Sequence, residues 1–333
     1  MGVALSSARV RDAAIRALLG LVSGNGQRAR LSILVFHRVR SSAFADERET
    51  GATEATSFAE LMEHVRDQFN ILPASEAFER LRSGSLTERA LVITFDDGYA
   101  DNLELAGPVL SRLGIPAIVF VATGFLDGGC MWNDIVRTAC QSTSCAVLEL
   151  SAEGLGDYSL RTPAERQSAI DGLLQRLKYE ACDLRDAHAR RIADLAKVSI
   201  PRDLMLSRSG VRALADFGIE IGAHTCSHPI LATLPDDRAR REIVDSRHEL
   251  EDITGRPVLL FAYPNGIPGR DYLKQHVRMV KEAGFASAVT TAWGAASADS
   301  DPLQLPRFTP WRSSPAGFDL LMLRNLCRTI ERA

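Results

Sequence analysis

Short apolar runs alternate along this chain with longer segments in which apolar residues recur at helical spacing. The short runs are rich in Val, Ile, Leu, Phe and Ala and have the length of buried strands. They occupy residues 31–36, 91–95, 117–122, 219–223, 258–262 and 285–291. Because helical segments separate most of these runs, the pattern predicts an α/β fold with parallel strands and helices packed outside.

Capping residues and glycines mark the boundaries of the predicted helices. Ser57, followed by Glu60, has the spacing of a capping box and predicts a helix that begins at Ser57. Pro235 near the start and Gly255 after the end delimit a helix over residues 234–254. Two further helices are predicted over residues 100–113 and 271–283.

The alternation of strands and helices is interrupted over residues 126–205. Within this part, residues 162–197 are charged, Ala-rich and helical in pattern, so we predict a helical insertion that covers one rim of the domain. The insertion either shapes a substrate cleft or only covers the surface. Residues 1–30 are predicted to be an N-terminal amphipathic segment, and residues 31–333 the main domain.

The composition is that of a folded protein without nucleic-acid-binding features. The chain has 333 residues, of which 46% are hydrophobic and 24% charged, enough for one large α/β domain or two smaller ones. The net charge is −3, and the basic residues form no cluster, which argues against a nucleic-acid partner. No apolar run reaches the roughly 18 residues of a membrane-spanning helix, so no transmembrane segment is expected.

The cysteines and the N-terminus bear on the cellular compartment. The six cysteines include no CxxC pair and no dense framework, so we expect free thiols and a reducing compartment, the cytoplasm. The apolar stretch from Ala13 to Val22 is interrupted by Arg16, and no Ala-x-Ala-like cleavage site follows it. A secretory signal, and with it a periplasmic or exported protein, is the alternative to a helix packed on the domain.

Two adjacent carboxylates follow the strand predicted at residues 91–95. Asp96 and Asp97 precede Gly98, which permits a tight turn. Neighbouring side chains on an extended chain point in opposite directions, so both aspartates reach one site only if the strand breaks at this turn. The Asp-Asp-Gly sequence alone is also compatible with an acidic turn that caps the next helix.

Two histidines, His224 and His228, follow the strand predicted at residues 219–223. Their spacing allows both to bind one ion, although it is equally compatible with a structural role. Because the carboxyl ends of parallel strands share one edge, Asp97 is expected to converge with them. One carboxylate and two imidazoles suit Zn²⁺ or a similar divalent ion and leave a position open for water. Asp96 is then free to accept a proton from that water.

Three motifs together resemble those of a known enzyme family. They are Thr94-Phe95-Asp96-Asp97-Gly98, His224-Thr225-Cys226-Ser227-His228-Pro229 and Phe261-Ala262-Tyr263-Pro264-Asn265-Gly266. In this order they resemble the first three motifs of the polysaccharide deacetylases, the carbohydrate esterases that include chitooligosaccharide, peptidoglycan and poly-N-acetylglucosamine deacetylases. The resemblance covers about residues 31–125 and 205–310. It implies a distorted (β/α) barrel and a metal-dependent enzyme that hydrolyses the N-acetyl group of an N-acetylhexosamine in a poly- or oligosaccharide.

The resemblance also implies a role for each motif residue. Asp96 would be the general base, and Asp97, His224 and His228 would bind a divalent metal, for which Zn²⁺ is the first expectation. The backbone N–H of Tyr99 would donate a hydrogen bond to the negative charge that develops in the transition state.

The chain departs from the usual family pattern in its general acid and in one arginine. No late Leu-x-His-like motif, which usually carries the acid, follows Gly266. Instead, Ile33-Leu34-Val35-Phe36-His37 resembles the permuted arrangement of the biofilm poly-N-acetylglucosamine deacetylases, so we expect His37 to be the acid, with a structural histidine as the alternative. The arginine of the third motif, which would orient the base, is missing. Arg307 is the candidate to replace that arginine, and the alternative is that Arg307 only forms an ion pair on the surface.

Two other functions are compatible with the sequence. Some relatives of this fold use the same metal site to hydrolyse a small cyclic amide. An inactive carbohydrate-binding relative is the second alternative, but such a protein would have no reason to retain Asp96, Asp97 and both histidines together.

Overall fold

The computed structural model describes residues 2–41, 52–310 and 315–328. The strands in chain order are β1 (Ser32–Phe36), β2 (Arg38–Arg40), β3 (Ala52–Glu54), β4 (Asn70–Ile71), β5 (Ala90–Phe95), β6 (Ile118–Val121), β7 (Val147–Leu150), β8 (Gly156–Ser159), β9 (Glu220–Ala223), β10 (Leu260–Ala262) and β11 (Ser287–Val289). The helices are α1 (Gly2–Ser23), α2 (Ala55–Gln68), α3 (Ala74–Ser83), α4 (Gly107–Leu113), α5 (Trp132–Ser142), α6 (Pro163–Leu177), α7 (Cys182–Leu195), α8 (Arg208–Asp216), α9 (Asp236–Thr254), α10 (Lys274–Glu282) and α11 (Pro315–Leu326).

Seven strands form the central sheet, and all of their pairings are parallel. Their order is β1-β5-β6-β9-β10-β11, and β4 pairs with the first residues of β5. Strands β1 and β5 are in register over five residue pairs, up to Phe36 beside Phe95. Every residue of both strands is buried, because helices cover one face and the barrel core lies on the other. The carboxyl ends of the strands therefore form a single rim.

The segment at residues 305–308 connects the two edges of the sheet. Leu305 N–H donates to the carbonyl of Ala288 in β11 (2.9 Å), and Phe308 N–H donates to the carbonyl of Ile33 in β1 (3.0 Å). The mostly parallel sheet is thereby curled and closed by backbone bridges. This confirms the predicted α/β fold and the distorted (β/α) barrel.

Residues 126–205 contain α5, α6 and α7, which pack around an apolar cluster of their own that includes Leu148, Leu173 and Ile192. The sequence pattern predicted helices only, but the structure adds an antiparallel pair, β7 and β8. Both strands are only four residues long, and β7 alone alternates exposed and buried positions, so the sequence pattern could not be distinguished from that of a loop.

All four predicted helix starts differ from the structure. Residues 100–113 form a π-helical segment (Asn102–Ala106) followed by α4 from Gly107, and α10 begins at Lys274 instead of residue 271. Helix α2 begins two residues before Ser57, and its cap is Glu54, whose carboxylate accepts a hydrogen bond from Ser57 N–H (2.8 Å). The prediction of a capping box formed by Ser57 and Glu60 is therefore wrong, because Glu54 caps the helix by binding the N–H of Ser57 in its first turn. Helix α9 begins at Asp236 and ends at Thr254, where Gly255 adopts the left-handed conformation of a C-terminal cap.

The N-terminal helix α1 contacts the C-terminal helix α11. Its side chains are described from Ala13 onward, and among them Leu19 is fully buried. Arg30, which follows α1, donates to the carbonyl of Leu326 at the end of α11 (2.9 Å). Within the described residues, no helix has the length and hydropathy needed to cross a membrane. All six cysteines are free thiols.

Candidate active site

A break in the chain after β5 brings both aspartates to one site. Asp97 has a φ of 74°, in the left-handed region that aspartate tolerates better than most residues. Gly98 follows with a φ of 84°, and a Cβ atom there would lie 3.0 Å from the side chain of Val121. Since the extended strand ends at Phe95, the two carboxylates need not point in opposite directions. Asp96 and Asp97 are both buried.

Asp97, His224 and His228 converge at the rim of the barrel. The Nε2 atoms of His224 and His228 lie 3.5 Å and 3.4 Å from Asp97 Oδ1. All three potential ligand atoms lie within 4.8 Å of one another. The structure therefore brings together the three residues that the sequence nominated as metal ligands.

These three side chains fit a divalent cation. Asp97 Oδ1 is buried and has no hydrogen-bond partner among the described residues, which leaves an acceptor for a cation. His224 Nδ1 lies 2.7 Å from the carbonyl of Ala262, and since a carbonyl only accepts, Nδ1 donates and Nε2 faces Asp97. In a tetrahedral zinc site with bonds of about 2.1 Å, neighbouring ligand atoms lie roughly 3.4 Å apart. Both histidine nitrogens stand close to that separation from Asp97 Oδ1.

Burial and charge keep the carboxylate and one imidazole in the protonation state that binds metals. Burial lowers the pKa of His228 to about 3, so its ring is neutral near pH 7. Burial alone would raise the pKa of Asp97, but its interaction with His224 and the other imidazoles nearby lowers that pKa on balance. The pKa of His224 is raised, because the negative charges of Asp96 and Asp97 outweigh burial. The field that holds this proton also attracts a metal ion, which would displace it.

Asp96 lies beside the three potential ligands, but its closest contacts are with Arg307. Each of its carboxylate oxygens accepts a hydrogen bond of 2.7 Å from one terminal nitrogen of Arg307, whereas His224 Nε2 lies 3.9 Å away. Arg307 is fully buried and donates also to Thr290 O and Thr94 Oγ1, so it is not a surface ion pair. Burial alone would raise the pKa of Asp96, but the charge of Arg307 lowers it on balance and keeps the carboxylate ionised.

His37 follows β1 and lies on the same rim. The N–H of Asp96 donates to the carbonyl of Phe36 (2.9 Å), the residue before His37, so the backbone of His37 begins beside that of Asp96. The backbone of His37 is held by Asn102, whose Nδ2 donates to the His37 carbonyl (2.8 Å). The ring atom Nδ1 is buried and has no hydrogen-bond partner in the part of the chain that is described. That nitrogen therefore has an unused hydrogen-bonding position.

The N–H of Tyr99 is directed away from the neighbouring segment at Met205. Tyr99 and Met205 form an antiparallel bridge, and hydrogen bonds lie on both sides of the pair but not within it. In such a pair the backbone N–H of each residue points away from the other chain. The Tyr99 side chain is buried, and its hydroxyl donates to Asp134 of the insertion helix α5 (2.9 Å). The insertion is thus joined directly to the turn that carries Asp97.

One residue that contacts the site was missed in the sequence. Glu242 of α9 accepts hydrogen bonds from the backbone of the turn between His224 and His228. Glutamate is common on the polar face of helices, so no local pattern distinguishes this one. Only the packing of α9 against the rim reveals the contact.

Comparison with known proteins connects this site with one family. The sequence model of the polysaccharide deacetylase family matches residues 185–288, which include both histidines of the site. The protein YxkH of Bacillus subtilis (strain 168), whose name refers to polysaccharide deacetylases, is 22% identical over 281 residues, 84% of this chain and 71% of that protein.

Solved structures share the fold. The Streptococcus pyogenes deacetylase PplD, in complex with acetate, aligns with a TM-score of 0.59 and 18% identity over 90% of this chain and 98% of that one. IcaB from Ammonifex degensii aligns with a TM-score of 0.57 and 18% identity over the same shares. The chain is therefore similar to the polysaccharide deacetylases in sequence over residues 185–288, and 90% of it shares a fold with PplD and with IcaB.

Proposed function

We propose that this protein is a metal-dependent deacetylase that removes the N-acetyl group of an N-acetylhexosamine in a poly- or oligosaccharide and releases acetate. The observation that carries this proposal is the cluster of Asp97, His224 and His228, with the Asp96–Arg307 pair beside it. Three potential metal ligands, with the ionised carboxylate of Asp96 beside them, suit the hydrolysis of an unreactive amide. The match of residues 185–288 to the polysaccharide deacetylase model and the likeness to the deacetylase PplD support it.

Each residue of the site has a place in the proposed reaction. A divalent ion held by Asp97, His224 and His228, which we propose to be Zn²⁺, would polarise the amide carbonyl and favour ionisation of water. Asp96 takes a proton from the water molecule as its oxygen attacks the carbonyl carbon. The N–H of Tyr99 donates to the carbonyl oxygen as negative charge develops there.

The second half of the reaction needs an acid. The carbon–nitrogen bond breaks only if the nitrogen gains a proton, because an amide anion is a very poor leaving group. We assign this proton to His37, which follows β1 at the rim where Asp96 follows its neighbour β5. Arg307 positions Asp96 and keeps it ionised. The products are acetate and a free amine.

Removal of divalent metal is expected to abolish the activity. Protein treated with a chelator should release no acetate from N-acetylglucosamine oligomers, and added Zn²⁺ should restore the release. Mass spectrometry should show products that have lost acetyl groups. Small cyclic amides, assayed in parallel, distinguish the alternative enzyme, because they would give a ring-opened product. If metal-loaded protein converts neither kind of substrate, the proposal is wrong and a binding function is favoured.

His37→Ala is expected to lower kcat by roughly 10²-fold or more, while the fold and the metal content stay unchanged. The exposed His248 on α9 provides the control, since His248→Ala should leave kcat as it is. With an aryl acetate, whose leaving group needs no proton, the His37→Ala variant should lose far less activity than it does with the N-acetyl substrate. Equal losses with both substrates would show that His37 is not the general acid.

A further inference from the structure

The turn that carries both histidines has an uncommon backbone. Thr225 and His228 have φ values of 64° and 50°, in the left-handed region that residues other than glycine seldom occupy. Such conformations persist only where the surroundings hold them. The positions of the two imidazoles therefore depend on what holds the turn.

The main chain of the turn is bound on two sides. On one side, the N–H groups of Thr123 and Gly124 donate to the carbonyls of Thr225 (3.1 Å) and Cys226 (2.8 Å). A Cβ atom on Gly124 would lie 2.8 Å from the Cys226 carbonyl oxygen, so only glycine allows this approach. Thr123 and Gly124 thus bind two carbonyl groups of the turn, whereas the N–H groups of the turn need another partner.

Glu242 binds the donors on the other side. Its Oε2 accepts from the N–H of Cys226 (2.9 Å) and of Ser227 (2.8 Å), and its Oε1 accepts from Ser227 Oγ (2.6 Å). The Cys226 sulfur contacts the Glu242 carbonyl (3.7 Å) and so lies against α9. One side chain thus holds both residues at the centre of the turn.

We propose that Glu242 is a positioning residue of the metal site, which holds the turn so that His224 and His228 both face Asp97. This inference rests on the proposed metal-dependent function. Residues that orient metal ligands through hydrogen bonds raise affinity by fixing the ligands before the ion binds. Glu242 would do so through the backbone, because its carboxylate binds the peptide N–H groups between the two histidines and, among the described residues, forms no hydrogen bond with either imidazole ring.

Two substitutions separate the hydrogen bonds of Glu242 from its charge. Glu242→Gln keeps one carbonyl oxygen that accepts from both N–H groups, and its amide nitrogen can donate to Ser227 Oγ. Glu242→Ala removes the acceptors and the charge together. If positioning matters, the glutamine variant resembles the wild type, whereas if only negative charge near the ion matters, it resembles the alanine variant.

The test is the dissociation constant for Zn²⁺, measured by calorimetry on chelator-treated protein. Glu242→Ala should bind Zn²⁺ about 10- to 100-fold more weakly than the wild type. Glu242→Gln should stay within about threefold of the wild type, because the hydrogen bonds are kept. Glu249→Ala is the control, since Glu249 lies on the same helix and pairs with Arg208 instead of the turn. It should leave Zn²⁺ affinity unchanged.

Two results would overturn the inference. The first is a Glu242→Ala variant that binds Zn²⁺ as tightly as the wild type, and the second is a Glu242→Gln variant that binds Zn²⁺ as weakly as Glu242→Ala. If Glu242→Ala does not fold, Ser227→Ala decides the matter, because it removes one of the three hydrogen bonds and no charge. It should weaken Zn²⁺ binding by a smaller factor, and unchanged affinity would count against positioning. If the wild type binds no Zn²⁺, the proposed metal-dependent function fails together with the inference. If the wild type binds Zn²⁺ and only the variants depart from expectation, the positioning role of Glu242 fails alone.

Discussion

Replacing Asp96 with asparagine is expected to lower kcat by about 10² to 10⁴ while the metal ion stays bound. Asparagine keeps the size of the side chain, but its amide cannot accept the proton of the attacking water. Asp96 lies farther from the imidazole of His224 than Asp97 does, at 3.9 Å against 3.5 Å, and its oxygens are held by Arg307. Acetate release and metal content, measured on the same preparation, give the result.

Two control variants make the Asp96 result decisive. His228→Ala removes one of the three potential ligands and should lose the metal together with the activity. Arg240→Met removes one side of a solvent-exposed ion pair with Glu282 and should change neither. Because Asp96→Asn also leaves Arg307 without its counter-charge, rates should be compared below the temperature at which the variant unfolds. Near-normal turnover with full metal content would show that another group accepts the proton.

Most strands of the barrel could be predicted because they are buried on both faces. The runs at β1, β5 and β6 are apolar apart from Ser32 and Thr94, and the structure differs from their predicted bounds by one residue or less at each end. Residues 305–308 escaped prediction because a proline and an arginine interrupt the run. Their strand-like role is imposed by hydrogen bonds from both edges of the sheet, which no local pattern encodes.

In the candidate site, too, local sequence predicted some residues, whereas others could be found only from the fold. Asp97 and His224 lie within two residues of the ends of β5 and β9, and His228 follows in the same turn as His224. Because parallel strands bring their carboxyl ends to one rim, topology predicted that these residues converge. Arg307 was named only as a candidate, because its contact with Asp96 spans 211 positions of the sequence. Glu242 was not named, because its contact depends on how α9 packs. Local patterns therefore indicate ligands at strand ends, whereas the residues that hold them require the fold.

Arg307→Met is expected to lower the free energy of unfolding by about 3–5 kcal/mol. The substitution removes the only partner in the described chain that binds both Asp96 oxygens, and it leaves a buried carboxylate without its main counter-charge. Since the charge of Arg307 lowers the pKa of Asp96 and burial raises it, the pKa must rise in the variant. A carboxyl group with a raised pKa is protonated at higher pH, so the acid limb of the kcat profile should move to higher pH.

Urea unfolding and pH–rate profiles of three further variants complete the test of Arg307. Arg307→Lys keeps the positive charge but not the contact with both oxygens, so its loss of stability and the shift of its acid limb should both be smaller. The double variant Asp96→Asn/Arg307→Met removes both charges and should recover part of the stability lost in Arg307→Met. The exposed pair of Arg240 and Glu282 gives the surface reference, where Arg240→Met should cost less than about 1 kcal/mol. If Arg307→Met costs no more than this reference and the acid limb stays in place, Arg307 neither stabilises the buried carboxylate nor sets its protonation.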